Sequence, residues 1–288
     1  MGLDRLTSEQ FELFRQFIYQ SSGIHVDERK VTLLSNRIRG RLRAGEFEDF
    51  DSYYRFLTSP AGGNELAEFL NVITTNETFF FRNSKQLDWL ASDWVDQQLA
   101  LHRAGKRDDQ LHILSAGCAS GAEAYSIAIC LAENLYRLRD WSLKVTGVDI
   151  SEEMLQVARE AVFRPRVMEG VSDRQRKRFF LHQRQEDLWK VRPSIQEMVR
   201  FSRHNLMEPL KVGRCDCIFI RNVLIYFDSA SKQTVVKHLI QALKPGGYLV
   251  VGPSEGIYEF LGSLERVTPL VYQKPNRNQS DTEAVKDE

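Results

Sequence analysis

The sequence has few cysteines, and their arrangement would not bind a metal. The chain of 288 residues contains four, Cys118, Cys130, Cys215 and Cys217, and none of them forms a Cys-x-x-Cys pair. Cys215 and Cys217 would lie on one face of a strand, but the sequence offers no further metal ligands to join them. We therefore expect four small buried side chains and no metal site.

Long apolar runs and an excess of one charge are also missing. No run approaches the roughly 18 apolar residues of a membrane-spanning helix. The N-terminus does not combine a basic region with an apolar core, as secretion signals do. The 39 basic residues balance the 39 acidic ones, which does not favour a general nucleic-acid-binding protein. These absences predict a cytoplasmic protein that does not insert into the membrane.

Phosphate-binding motifs are absent from a glycine-bearing turn near the middle of the chain. The stretch HILSAGCASGAEAYSIAI, residues 112–129, predicts a strand, a turn and then a helix. Only a G-x-x-x-G spacing joins Gly117 and Gly121, so neither a P-loop nor the dinucleotide fingerprint is present. Glycine lets a ligand approach the backbone closely. The turn contains no Lys or Arg, and Glu123 stands just inside the helix, which fits a ribose or a cationic ligand better than a phosphate.

Residues 1–90 predict a small all-helical domain followed by a linker. Phe11, Phe14 and Ile18 recur at helical spacing behind an N-cap pattern at residues 7–10. Three further helices are predicted over residues 28–43, 49–57 and 64–73.

The rest of the chain changes to short apolar runs of strand type, separated by helical segments. Such alternation predicts a parallel sheet with helices on both faces. Pro245-Gly246-Gly247 predicts a helix stop, and two strands after Phe260 predict a closing hairpin. The main strands are predicted at 111–117, 143–150, 199–205, 215–222 and 248–254. The predicted boundaries are 91–274 for this α/β domain, about 164–197 for an insertion and 275–288 for an unfolded polar tail.

Several polar side chains follow the strands of this predicted sheet. Ligands of open α/β sheets bind beyond the carboxyl ends of the strands, near the point where the strand order reverses. Asp149 ends the second strand, Asn205 ends the next, and Arg221 with Asn222 ends the one after. The Asp149 carboxylate can hold both hydroxyls of a ribose, or it can serve as the N-terminal charge of the following helix. Glu123 can likewise contact a ligand or serve as the N-terminal charge of its own helix.

Six segments of the chain, in this order, closely resemble the chemotaxis-receptor methyltransferases, the CheR family. They are TTNETFFFR (Thr74–Arg82), AGCASGAEAYSIA, GVDIS, RHNL (Arg203–Leu206), IFIRNVLIYFD (Ile218–Asp228) and LKPGGYLVVGPSEG. The resemblance extends from about Leu6 to Lys274, and NETFFFR with RNVLIYFD is specific to the family. It implies a Rossmann-like S-adenosylmethionine-dependent methyltransferase domain, a small all-helical N-terminal domain and a small inserted β-subdomain.

The resemblance also implies an activity and its partners. Family members transfer a methyl group from S-adenosylmethionine to glutamate side chains of chemoreceptor cytoplasmic helices, which yields glutamyl methyl esters and S-adenosylhomocysteine. We expect a monomer that does not act on nucleic acid and that is recruited to receptor arrays at the membrane. Two alternatives stay open: a methyltransferase of RNA or a small molecule, and a non-catalytic S-adenosylmethionine-binding scaffold.

Site residues follow from the same resemblance. Arg82 and Tyr226 are the expected catalytic residues, with Tyr226 beside the reactive methyl, although Arg82 could be a surface residue and Tyr226 a core residue. Methyl transfer to a carboxylate needs no strong base, because glutamate is already ionised at neutral pH, so alignment is the main task. The expected cofactor-binding residues are Asn76, Thr78, Arg82, Ala116, Glu123, Asp149, Asn205, Leu206, Arg221 and Asn222.

A basic helix near the N-terminus is the expected docking surface for the receptor. Arg37, Arg39, Arg41 and Arg43 flank an apolar stripe on the predicted helix. Such charges often form only a solvated face, and an RNA substrate would also bind them. The resemblance implies receptor contact, because the family uses this helix for that purpose.

One region departs from the family pattern. Some members use a glycine-rich hairpin of the β-subdomain to hold a pentapeptide at the receptor C-terminus by strand addition. The matching residues 178–194 contain no glycine, and residues 183–186 occupy the expected turn. We therefore predict methylation without this tether, while a differently built hairpin that still pairs with peptide is the alternative.

Overall fold

A computed structural model describes residues 5–276 and confirms the predicted fold class. Four helices form the first domain around one apolar core. The predicted capping box of Thr7 and Gln10 begins the first helix, which ends at Gly23 in the left-handed conformation, with φ of 75°. A 3₁₀ turn over Glu28–Lys30 replaces the predicted start of the second helix. The helices are α1 (Ser8–Ser22), α2 (Val31–Ala44), α3 (Phe50–Leu57) and α4 (Gly63–Ile73).

Two helices that the sequence patterns did not single out lead into the α/β domain. They are α5 (Ser84–Trp89) and α6 (Val95–Arg103), joined by a π-helical turn at Leu90–Trp94. Leu87 of α5 and Val95 of α6 are buried in the core of the α/β domain. Both helices therefore pack with the sheet and not with the helical domain before them.

The α/β domain contains β1 (Gln110–Ala116), α7 (Ala122–Glu133), β2 (Ser142–Asp149), α8 (Glu152–Glu160), β3 (Val162–Phe163), α9 (Asp173–Phe179), β4 (Phe180–Gln183), β5 (Leu188–Val191), α10 (Pro193–Gln196), β6 (Val199–Arg203), β7 (Cys215–Ile220), α11 (Ser229–Ala242), β8 (Leu243–Val251), β9 (Glu265–Thr268) and β10 (Val271–Gln273). Its main sheet has the strand order β6-β2-β1-β7-β8-β10-β9. The first five strands in this order run parallel, and β10 and β9 close the edge as the predicted antiparallel hairpin.

The predicted insertion contains a separate antiparallel sheet in the order β3-β5-β4. Its hairpin turn lies at residues 184–187, one residue later than predicted. Asp187 supplies the left-handed residue of this turn, with φ of 49°, because the short polar side chain of Asp tolerates that conformation. A glycine is therefore not needed to close the hairpin.

The remaining predictions about the fold concern the end of α11, the C-terminal tail, membrane-spanning helices and the cysteines. The helix α11 ends at Ala242, shortly before Pro245–Gly247 as predicted, but this segment lies within β8 and not before the strand. The predicted unfolded tail lies outside the described residues from position 277 onward. Within residues 5–276, no helix combines the length and apolar character that crossing a membrane requires. All four cysteines are buried, as predicted.

Candidate functional site

A cleft opens where β1, β2 and β7 end, and both domains line it. β1 lies between β2 and β7, so this is the point where the strand order reverses. The structure brings most of the sequence-predicted site residues together here. Those that line the cleft are Asn76, Thr78, Arg82, Glu123, Asp149, Asn205, Leu206, Arg221, Asn222 and Tyr226.

Ala116 is the predicted site residue that does not line the cleft. It is the last residue of β1, and its side chain is fully buried among apolar neighbours of the sheet. The next residue, Gly117, does line the cleft. The structure thus places the ligand-facing end of this strand one position later than predicted.

The glycine turn is shaped by packing within the protein as well as by the cleft. Gly117 and Gly121 have φ of 73° and 84°, which favours glycine. A Cβ on Gly117 would lie 2.4 Å from a methyl group of Val223, and one on Gly121 would lie 2.8 Å from Ala158 Cβ. Gly121 therefore makes room for α8 and Gly117 makes room for Val223, so packing within the protein accounts for both glycines.

Asp149 lies at the end of β2 with a buried carboxylate. One oxygen accepts a hydrogen bond from the Ala119 N–H at 2.8 Å, and the other accepts one from the Ser151 N–H at 2.9 Å. Burial raises the pKa of this carboxyl above its ordinary value. Both predicted roles are compatible with this geometry, because each carboxylate oxygen keeps a lone pair for a ligand hydroxyl while it bonds the turn or the start of α8.

Glu123 and Arg221 form a nearly buried ion pair at the centre of the site. Glu123 Oε2 lies 2.6 Å from Arg221 Nε, and the two side chains are only 12% and 2% exposed. Glu123 also accepts a hydrogen bond from the Ser115 hydroxyl. Arg221 donates to the carbonyl oxygen of Arg82 at 2.6 Å and to Gln86 Oε1 at 3.0 Å. Arg221 thus neutralises Glu123 and holds the segment that carries Arg82.

The segment from Asn76 to Arg82 is fixed by aromatic packing. Phe80 is fully buried with its ring centroid 4.9 Å from that of Phe163, and its N–H donates to the Val167 carbonyl. Arg82 is half-buried, donates to the Glu77 carbonyl at 3.0 Å and faces the cleft. Arg82 is therefore a cationic side chain of the cleft wall and not a free surface residue.

A short turn after β7 carries Asn222 and Tyr226 into the cleft. Asn222 has φ of 62°, a conformation that is uncommon without glycine. The carboxylate of Glu255 accepts hydrogen bonds from the N–H groups of Asn222 and Leu224, the latter at 2.7 Å. Tyr226 is half-buried at the cleft, so it is not a core residue. Sequence reasoning missed Glu255, although an acidic residue directly after an apolar strand was a signal for it.

The helical domain completes the cleft through main-chain contacts. The His25 N–H donates to the Tyr226 carbonyl at 2.8 Å, and Ile24 pairs with Phe227 as an antiparallel bridge. Asn205 Nδ2 donates to the Ser21 carbonyl at 2.9 Å. Ile24 and Asn205 also line the cleft, so the loop after α1 forms part of the site.

Two arginines of the predicted docking helix are engaged inside the protein. Arg37 donates to the Ile73 carbonyl and to Thr75 Oγ1, and burial lowers its pKa. Arg41 binds Glu65 through two nitrogens at 2.7 and 2.8 Å. Two of the four arginines of the expected docking surface, Arg37 and Arg41, therefore already have partners within the protein.

The remaining two arginines of that helix differ in their exposure. Arg43 is exposed, and Arg39 is half-buried and bonds Asn36. We therefore expect receptor docking to depend mainly on Arg43 and to a smaller extent on Arg39.

The chemistry of the cleft fits S-adenosylmethionine. Asp149 keeps lone pairs for ribose hydroxyls, and the side chains of Ile150 and Leu206 supply apolar wall for a purine. The Glu123 carboxylate lies near the glycine turn and is paired with Arg221, so the pair adds no net charge to this side of the cleft.

Two family models together match most of the chain. The one described as "CheR methyltransferase, all-alpha domain" matches residues 9–74, and "CheR methyltransferase, SAM binding domain" matches residues 76–268. A solved structure, that of the glycopeptide N-methyltransferase MtfA complexed with S-adenosyl-L-methionine, aligns with a TM-score of 0.32 and 10% identity over 54% of this chain and 52% of that chain. A likeness this low carries no argument by itself.

Relatives match over nearly the whole length. Chemotaxis protein methyltransferase 2 of Vibrio cholerae is 32% identical over 289 residues, which is 96% of each chain. The chemotaxis protein methyltransferase of Salmonella typhimurium is 34% identical over 271 residues, covering 93% of this chain and 90% of that one. The chain therefore belongs to the CheR family of chemotaxis methyltransferases, with S-adenosylmethionine as its cofactor, as the sequence motifs predicted.

Proposed function

We propose that this methyltransferase acts on glutamate side chains of chemoreceptor cytoplasmic helices and produces glutamyl methyl esters and S-adenosylhomocysteine. The observation that carries the proposal is the joint construction of one cleft by both family domains, with Arg82 and Tyr226 in its wall. Relatives named chemotaxis protein methyltransferases match the chain across both domains, which supports a receptor as the partner. We also propose that the protein acts as a monomer that is recruited to receptor arrays.

The cleft residues divide the work of the reaction. Bound S-adenosylmethionine supplies an electrophilic methyl group on a sulfonium. In this proposal Asp149 accepts hydrogen bonds from the ribose hydroxyls, and Arg82, a cation of the cleft wall, orients a carboxylate through charge-assisted hydrogen bonds. Tyr226 presents its ring or hydroxyl to the sulfonium region. A glutamate acceptor is already ionised at neutral pH, so the chain has to align groups and exclude water more than to move a proton.

The type of bond that joins the methyl group to the product tests directly whether glutamate is the acceptor. Purified protein is incubated with a receptor cytoplasmic fragment and cofactor labelled in its methyl group. We expect label in the receptor fragment that mild alkali releases as volatile methanol, because an ester hydrolyses under these conditions while N-methyl and ribose O-methyl groups survive. Alkali-stable label, or label in added RNA, would reject glutamate and favour the RNA or small-molecule alternative. Cofactor binding without transfer to any acceptor would favour the scaffold.

The same assay addresses the C-terminal tether. The β4–β5 hairpin closes with Asp187 and lacks the glycine-rich loop of the members that hold the peptide, and we predict that transfer does not use a receptor C-terminal peptide. A receptor fragment that lacks its last few residues should then be methylated at the rate of the intact fragment. A large loss of rate with the shortened fragment would contradict that prediction.

Charge reversal on α2 should separate docking from folding. We expect Arg43→Glu to slow transfer to receptor with unchanged thermal stability and cofactor affinity, because Arg43 is exposed. Arg41→Glu should instead lower the melting temperature, because it would place a second carboxylate beside Glu65, with which Tyr53 also bonds. Transfer rate, melting temperature and calorimetric cofactor affinity are measured for both variants. An unchanged rate for Arg43→Glu would remove this residue from the docking surface.

A further inference from the structure

Glu255 is a buried carboxylate whose bonds go to main-chain groups. Its side chain is 1% exposed, and across residues 5–276 no ion pair to it is found. Its two oxygens accept from the N–H groups of Asn222 and Leu224. Burial of a charge without a cation is costly, so these hydrogen bonds must compensate for lost hydration. A carboxylate kept here at that cost has a specific task in the turn it binds.

The space around Glu255 is adapted to the same contact. A Cβ added to Gly252 would lie 2.5 Å from Glu255 Oε1 and 3.2 Å from the Asn222 nitrogen. Gly252 therefore allows the carboxylate to reach the turn. On the other side, the His25 N–H binds the Tyr226 carbonyl. The turn of residues 222–226 is thus held from within the α/β domain by Glu255 and from the helical domain by the backbone at His25.

We propose that Glu255 is a positioning residue for methyl transfer, which fixes the turn that presents Asn222 and Tyr226 to the cleft. The inference rests on methyl transfer in this cleft and not on glutamate as the acceptor. An ionised carboxylate offers an acceptor to both N–H groups, whereas a protonated carboxyl or an amide points one donor at a donor. Asn222 adopts the left-handed conformation, which its short polar side chain tolerates, and the hydrogen bonds to Glu255 hold the turn in that conformation.

The charge state of Glu255 gives the proposal a pH dependence. Burial, with a further contribution from Glu123, raises the pKa of Glu255 above its usual value. Facing charged groups are Glu123 and Arg221, which pair with each other, and Lys232, which approaches the Gly256 carbonyl at 3.5 Å. Since the pKa is raised, Glu255 protonates as pH falls through values above those of an ordinary glutamate. The turn should loosen over that acidic range.

The test compares Glu255→Gln and Glu255→Asp with the matched control Glu259→Gln, an exposed acid in the same loop. For Glu255→Gln we expect kcat to fall at least about tenfold, a change of about 1.4 kcal/mol in the barrier, with cofactor Kd within about threefold. The acidic fall in kcat should be absent from this variant, because its amide does not titrate. Glu255→Asp keeps the charge and should recover part of the loss, while the control should behave as the wild type.

Hydrogen exchange makes the test independent of the acceptor. The amides of Asn222 and Leu224 should exchange faster in Glu255→Gln, with the melting temperature and the exchange of β1 unchanged. Wild-type exchange of these amides would overturn the proposal whatever the activity. A uniform loss of melting temperature, cofactor affinity and kcat would also overturn it, because that pattern describes a purely structural residue. If the wild type does not methylate the receptor, this result would contradict the proposed acceptor and not the role of Glu255.

Discussion

Replacing Arg221 with methionine is expected to cost both stability and at least about 100-fold in methyl transfer. The change removes the cation 2.6 Å from the buried Glu123 carboxylate, and breaking a buried ion pair in this way destabilises a protein by about 3–5 kcal/mol. It also removes the hydrogen bond to the Arg82 carbonyl. A displacement of about 1 Å in a catalytic group can reduce a rate about 100-fold. Thermal unfolding and single-turnover transfer are the measurements.

A double variant separates the two effects of this change. The double variant Glu123→Gln with Arg221→Met no longer has an unpaired buried charge, but it still lacks the hydrogen bond to the Arg82 carbonyl. We expect the melting temperature to recover toward that of Glu123→Gln alone, while transfer stays low. Recovery of transfer in the double variant would show that Arg221 serves only to neutralise Glu123. Wild-type stability and rate in the single variant would show that the pair is dispensable.

The positions of Asp149, Asn205 and Arg221 could be predicted because they follow from the order of elements along the chain. Each residue ends an apolar strand, and the carboxyl ends of parallel strands meet at one edge of a sheet. The resemblance to the CheR family added the segment from Asn76 to Arg82, which lies outside the sheet and has no such local rule. The structure gathers both groups in one cleft.

The direction in which polar side chains point could not be predicted in the same way. Arg221 pairs with Glu123 across 98 positions, and Glu255 reaches a turn 33 positions earlier. Arg41 finds Glu65 only because α2 and α4 pack together. Such partners depend on tertiary packing, and periodicity within one helix or strand contains no information about them. The sequence therefore did not separate Arg37 and Arg41, which have partners inside the protein, from the other arginines of the predicted docking helix.

Main-chain contacts between domains are also invisible to side-chain patterns. The loop after α1 meets the Tyr226 turn through the backbone at Ile24 and His25. Backbone pairing of this kind places few demands on residue type. The helical domain could be predicted as a separate unit, but its part in building the cleft became apparent only from the folded chain.

Asp149→Ala is expected to weaken binding of both S-adenosylmethionine and S-adenosylhomocysteine by at least about tenfold, or about 1.4 kcal/mol. The substitution removes the carboxylate that would accept hydrogen bonds from the ribose hydroxyls. It also leaves the N–H groups of Ala119 and Ser151 without their acceptor, and each buried N–H left unpaired costs about 1–3 kcal/mol. Calorimetry measures the binding, and Glu153→Ala is the matched control, because it removes an exposed charge from the first turn of α8. Equal weakening in the control would assign the effect to the charge at the helix start. Normal binding by Asp149→Ala would remove the ribose assignment. Since burial raises the pKa of Asp149, wild-type binding should also weaken on acidification above the usual aspartate range, and the Ala variant should lack that dependence.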